Sequence, residues 1–242
     1  MNNRLKSGAL TLSLVTLAAC SDTAGLESSF EESLTLDVAM IAADATIDEF
    51  GDLGPLFGGG GGPLHGGESA RTATFFDAAG DPQEVHDPLT TASIHLVIES
   101  THEFSRDSWT ATGTRSRDVW ITGLEGEETS RTVNGTGSGS VMRSQHTDED
   151  GTRTHDMLST SVTENVVHPV PRADDAWPLS GTITRSVTIN VVNGPDGDVT
   201  KTRTAVITFN GTNLVTMIVG DETFEIDMST RSDRHPFRKR GQ

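Results

Sequence analysis

Apolar and polar residues alternate along most of the chain between residues 70 and 230, the period-2 pattern of β-strands with one dry and one wet face. The clearest run is Ala205–Met228, AVITFNGTNLVTMIVGDETFEIDM. Within it, Asn210-Gly211 has the residue types of a two-residue type I′ loop, whose central residues both need positive φ. Such a loop pairs Phe209 with Thr212, Ile207 with Leu214 and Val206 with Val215. One face then collects Ala205, Ile207, Phe209, Leu214 and Ile218, and the other Val206, Val215, Met217 and Val219. A turn at Gly220-Asp221 adds Phe224, Ile226 and Met228 to the second face and leaves Glu225 and Asp227 on the first. A strand pair apolar on both faces is expected in the middle of a sheet, covered on both sides. The preceding strand, Thr182–Val192, aligns Ile183, Val187, Ile189 and Val191, and a loop at Asp196-Gly197 joins them to the face of Val206.

Upstream, Ala70–Asp77 reads as a strand ending in a turn at Ala79-Gly80-Asp81-Pro82. Thr90–Phe104 aligns Ala92, Ile94, Leu96, Ile98 and Phe104; Trp109–Ile121 aligns Trp109, Ala111, Val119 and Ile121. Turns fall at Arg106-Asp107-Ser108 and Leu124-Glu125-Gly126. Thr129–Met142 is the weakest strand, because Gly135, Gly137 and Gly139 bring no side chains. Asp150-Gly151 has the type I′ chemistry again, and Arg153–Val170 follows, before a loop marked by Pro169, Pro171 and Pro178. The class expected is all-β: an extended antiparallel meander, or an open sheet or sandwich, with one N-terminal amphipathic helix.

That helix is predicted over 33–50, where Leu36, Met40, Ala43, Ile47 and Phe50 recur at alternating spacings of four and three. Ser28 or Ser29, with Glu31 or Glu32 three residues on, forms a capping box before it. Two roles fit the stripe: a partner's surface, or, preferred, the protein's own sheet, where it covers one apolar face of the C-terminal meander. Residues 51–69 follow as a linker, with five consecutive glycines at Gly58–Gly62 and prolines at 55 and 63. The β domain is expected over 70–230.

Composition changes this picture in two ways. Hydrophobic residues are 33% of the chain and Tyr is absent, so Thr and Ser fill strand positions and long strands are expected to run past the core with wet faces. The net charge of −17 repels phosphate backbones and anionic headgroups, which argues against nucleic-acid partners. The tail 231–242 inverts the sign, with Arg231, Arg234, Arg238, Lys239 and Arg240 against Asp233; it reads as a solvated end or a contact for anionic lipid or envelope polymer.

At the N-terminus, Arg4 and Lys6 precede an apolar run, Ala9–Ala19, too short to span ~20 residues of bilayer. The run ends Leu17-Ala18-Ala19-Cys20, and here the chain resembles the bacterial lipoprotein family through its lipobox. The resemblance covers the first twenty residues and implies cleavage of a signal peptide at 1–19 and lipid on Cys20; the polar stretch 20–32 reads as a tether. By the family's usual sorting rule, Ser21 implies the outer membrane, on its periplasmic face or at the cell surface. As a whole the chain also resembles envelope lipoproteins to which no activity is attached. Cys20 is the sole cysteine, so an intrachain disulfide is ruled out.

Candidate chemistry is sparse. Glu225-Ile226-Asp227 resembles the carboxylate pair of jelly-roll glycoside hydrolases, but Ser229 and Thr230 stand where their second Glu belongs, and the proton donor is missing. The Asp150-Gly151 loop sets His146 opposite His155 and Asp148 opposite Arg153, making His146, His155 and Asp148 weak metal candidates without a third firm ligand. His146-x-Asp148-x-Asp150-Gly151 fails as a calcium loop, with His at the first position and Met157 at the last. No cofactor is expected, and no enzyme. The function expected is a non-catalytic structural or interaction module, anchored through Cys20, with an envelope protein or polymer as partner. The alternative is a carrier of an apolar ligand in a curved sheet covered by helix 33–50.

Overall fold

A computed structural model describes residues 35–36, 38–47, 49, 67–106, 109–126, 128–147, 151–170, 176–194, 197–229 and 237–239. The signal segment, Cys20, the tether, the five-glycine run and Asp148 lie outside the described residues. The strands are β1 (Gly67–Asp77), β2 (Pro82–Gln83), β3 (Thr91–Arg106), β4 (Trp109–Thr122), β5 (Ser130–Thr147), β6 (Gly151–Pro169), β7 (Ser180–Gly194), β8 (Gly197–Thr208), β9 (Leu214–Val219), β10 (Glu222–Asp227) and β11 (Phe237–Lys239). They form one antiparallel sheet in the order β11-β10-β9-β8-β7-β6-β5-β4-β3-β1-β2. The all-β antiparallel class is therefore observed, as an open sheet. β1 begins at Gly67, inside the expected linker, and the basic tail adds β11 to the sheet edge rather than ending free.

The C-terminal register departs from expectation. Ile207 pairs with Met217 and Val206 with Ile218, across a connection from 209 to 213 instead of a two-residue loop. Gly211 has φ +82° but Asn210 does not reach positive φ, so a type I′ turn does not form. Asn210 instead accepts hydrogen bonds at its Oδ1 from Thr212 N (3.0 Å) and Thr212 Oγ1 (2.8 Å). The loop is also tied to the rest of the molecule: Phe209 N donates to Gly181 O (3.0 Å) and Gly211 N to Pro178 O (2.9 Å). As a result, Ala205, Ile207 and Phe209 share a face with Val215, Met217 and Val219, while Val206 lies on the opposite face with Ile218. Ile183 pairs with Ile207, not on the side of Val206 as expected. The turn at Gly220-Asp221 is as expected, and Phe224 meets Met217.

The apolar residues thus lie on one face, not two, and β8 and β9 are covered once. From β3 to β10 the sheet is eight strands wide, about 34 Å at ~4.8 Å per strand. Yet Leu96 on β3 and Ile226 on β10 are both fully buried and belong to one cluster with Val38 and Ala42 of the helix. A helix over 35–49 is only about 22 Å long and ~10–12 Å thick. It cannot cover a flat sheet of that width, so the sheet curls around it. Register shifts bend the strands where this is needed: at Val133/Gly135 on β5 and at Glu164/Val167 on β6. Asn134 Oδ1 accepts from Asn165 N (2.7 Å), joining the two bulges, and Asn165 takes φ 51°. Opposite them Gly181 has φ +104°, and a Cβ there would collide with the Asn165 carbonyl.

The helix, α1, is assigned at 35–36, 38–47 and 49. Its buried line is Thr35, Val38, Ala39, Ala42, Ala43, Thr46 and Glu49. The expected stripe is therefore rotated: Ala43 is buried, Leu36 is 39% exposed, Met40 and Ile47 flank the line, and Phe50 lies outside the described residues. The inside of a curled sheet is narrow, so alanines occupy the deepest line and the larger side chains stand to either side. The helix shares one buried cluster with the apolar face of the sheet, and its hydrogen bonds reach Arg117 on β4 and Arg185 on β7.

Candidate functional site

The long strands β4–β7 carry the site on their inner face. Their register produces three rows across the sheet: Arg117–Gly137–Ser161–Arg185, then Arg115–Gly139–Ser159–Val187, then Gly113–Val141–Met157–Ile189. The middle of the first two rows is only glycine and serine, and arginines stand beside it. Above this floor runs one flank of α1 with Ile41, Asp44, Ala45 and Glu49. Between them lies a cavity of about 270 Å³. Its end at the first row is polar, and its end at Val141, Met157 and Ile41 is apolar.

Glu49 closes the polar end. It is 2% exposed, and Arg117 and Arg185 are 3% and 4% exposed. Arg185 Nη2 donates to Glu49 Oε1 at 2.5 Å. Arg117 Nη1 donates to the Glu49 carbonyl at 3.0 Å, while its Nη2 stands 3.8 Å from Oε2. Burial pushes the Glu49 pKa up, but Arg117, Arg185 and Arg115 together outweigh it and hold the carboxyl below its ordinary value, so it stays ionised. Because Arg185 meets Glu49 through one nitrogen, Arg185 Nε and Glu49 Oε2 make no hydrogen bond. Both atoms belong to residues lining the cavity.

The sequence offered a signal for this centre that the reading of strands passed over. Arg117 sits in phase with Val119 and Ile121, and Arg185 in phase with Ile183 and Val187. A charged residue on the apolar phase of a strand needs a buried counter-charge. Gly137 and Gly139, two of the three alternate glycines of β5 read as weakness, are what leave the floor open.

The weak metal candidates do not come together. His146 lies across from Thr152, and His155 across from Arg143, so the two histidines are not cross-strand neighbours. Arg153 pairs with Gln145 rather than with Asp148. The correct register is offset by three residues from the one an Asp150-Gly151 two-residue loop imposes, and an odd offset reverses faces. Among the described residues no group of three or more His, Cys, Asp or Glu side chains converges. Asp227 of the Glu225-Ile226-Asp227 segment holds a turn, its Oδ1 accepting from Ser229 N (3.0 Å), Ser229 Oγ (2.6 Å) and Asn213 Nδ2 (3.0 Å).

A second cluster occupies the outer face. The Trp120 ring stacks on His95 at 4.6 Å and contacts Phe76 at 5.3 Å, and His95 Nε2 lies 2.7 Å from Asp118 Oδ1. These groups partner one another and enclose no volume. A more open depression of about 730 Å³ is lined by Ser69, Glu99, Thr101, Arg115 and Ser138 among others. No family model, curated protein or solved structure matches the chain.

Proposed function

We propose that this protein is a non-catalytic binding protein of the bacterial cell envelope, tethered through lipid on Cys20, which holds a small ligand between helix α1 and the curled sheet. The observation that carries the reading is the 270 Å³ cavity, polar at Glu49 and apolar at Met157. It favours the carrier over a purely structural module, because a chain selected only for packing gains nothing from an open volume beside buried charges. The size narrows the carrier. Pockets for drug-sized ligands run ~300–1,000 Å³, so the occupant is a small molecule with a polar head and not a phospholipid.

Two measurements test the proposal. Native mass spectrometry of the protein extracted gently from its membrane is expected to show a non-covalent adduct of low mass that is lost on denaturation. A bare protein, with no thermal shift across a panel of small amphiphiles, overturns the carrier. Cys20→Ser is expected to move the protein from the membrane to the soluble fraction, and an unchanged distribution overturns the anchor.

A further inference from the structure

One edge of the sheet is open along most of a strand. β1 runs for 11 residues, but β2 pairs with it only at Phe75 and Phe76. Among the described residues no strand lies beside 67–74 on that side. The pairing at the far end of β1 fixes which backbone groups point there. Phe75 pairs with Gln83, Asp77 N donates to Asp81 O at 3.0 Å, and Asp77 O accepts from Gly80 N at 3.0 Å. Backbone groups alternate sides along a strand, so the N–H and C=O of Gly67, Ser69, Arg71 and Ala73 face outward too. The side chains from Ser69 to Ala73 are exposed. Guarded edges are short, bulged, proline-bearing or lysine-rich. The opposite edge is of that kind, since β11 has 3 residues and contains Arg238 and Lys239. The open stretch of β1 has no proline and no lysine, and its register shift comes only after Phe76.

A second feature lies at the same edge. The depression of about 730 Å³ reaches β1 at Ser69 and Ala70 and is lined further in by Glu99. Ala70 pairs with Glu99, and Glu99 is exposed on the outer face because Ile98 beside it points into the core. A strand added outside β1 sets one of its side chains opposite Ala70, two strand spacings or about 10 Å from Glu99. Only the alanine methyl stands between them. A basic side chain, charged at the end of a long stem, crosses that gap. Arg115, the other charged residue lining the depression, is in phase with Arg117 on the inner face, where its charge acts on Glu49. One position along, Thr72 pairs with Val97, which suits a β-branched neighbour.

We propose that β1 takes up an extended, basic segment of a partner protein as an added antiparallel strand. Its backbone bonds at Ser69 and Arg71, and a lysine or arginine reaches over Ala70 to Glu99. In such strand addition the main chain gives affinity and a side-chain pocket gives selectivity. A basic segment is attracted to a chain of net charge −17, whereas a second copy of the chain is repelled by it. The site is separate from the cavity beneath α1 and stands or falls without it.

Fluorescence anisotropy on the full chain in mild detergent tests this, with the labelled, end-blocked peptide Thr-Val-Thr-Lys-Thr-Val-Thr as probe. The peptide is expected to bind saturably, and its counterpart with Glu in place of Lys several-fold more weakly. Arg71→Pro removes an outward N–H and no bond to β3. It should weaken binding roughly 10-fold, the scale of one lost hydrogen bond, with circular dichroism unchanged. N-methylation of the threonines flanking the lysine blocks the donors aimed at β1 and should weaken binding likewise. N-methylation of the lysine and the valines, whose N–H groups face away, should not. Glu99→Gln should weaken the lysine peptide about 2- to 5-fold, as for an exposed ion pair. No binding at millimolar peptide, equal binding of the Glu peptide, or indifference to which residues are methylated overturns the proposal. Self-association of the unliganded chain that Arg71→Pro abolishes also overturns it, and assigns the edge to a second copy.

Discussion

Glu49 sits where burial and three guanidinium groups act in opposite directions, and the guanidinium groups win. Its folded pKa lies below the ordinary 4.5, so the carboxylate stabilises the fold above that value. The contribution is lost as pH falls from about 4.5 through the lower folded pKa, when the proton taken up leaves Arg117 and Arg185 without their counter-charge. Glu49→Gln keeps the shape and removes the charge. Urea unfolding at pH 7 is expected to show it about 3–5 kcal/mol less stable than the native chain, the usual cost of breaking one side of a buried pair. The gap between the two proteins should narrow on acidification below pH ~4.5. A gap independent of pH would mean that the carboxylate is not ionised in the fold. The same residue shows a limit of reading the chain locally. Glu49 follows Asp48 in an acidic stretch of sequence and carries no local mark of burial. Arg117 and Arg185, in contrast, are visible in the sequence as charges on the dry phase of their strands.

At the scale of elements, strand existence was legible and strand register was not. Strand ends at Asp77, Trp109 and Val219, and the turn at Gly220-Asp221, lie where alternation and turn residues place them. Alternation is a property of each strand alone. Register depends on where a loop is fastened, and the loop after β8 is fastened to Pro178 and Gly181, thirty residues upstream. The consequence is measurable. Met217→Ala is expected to cost about 2–5 kcal/mol in urea unfolding, whereas Ile218→Thr, on the outer face and 45% exposed, should change stability by about 0.5 kcal/mol or less. Comparable losses at both positions would restore a sheet dry on both sides. The helix shows the same division. Its existence follows from spacing, but its rotation was set by the narrow space inside the curl and by the two arginines that Glu49 must reach.

On the scale of the whole molecule, the one short helix among the described residues lies on the dry face of a single sheet. Burial of Leu96 and Ile226 in one cluster with Ala42 makes α1 the plug of the fold. Deletion of residues 33–50 is expected to bare that face, and the shortened chain should bind an apolar dye strongly and aggregate where the full chain does not. A soluble, dye-silent deletion product would show that the curled sheet closes unaided. Class, the long strands and the helix could be read from local periodicity, because each records only whether a residue meets water; the short edge strands β2 and β11 could not. The facing of Val206, the separation of His146 from His155, the meeting of Glu49 with Arg185, and the cavity beside them required the folded chain. They arise between segments far apart in the chain, where an odd shift in pairing or a part-turn of a helix redirects every side chain while leaving its local pattern unchanged.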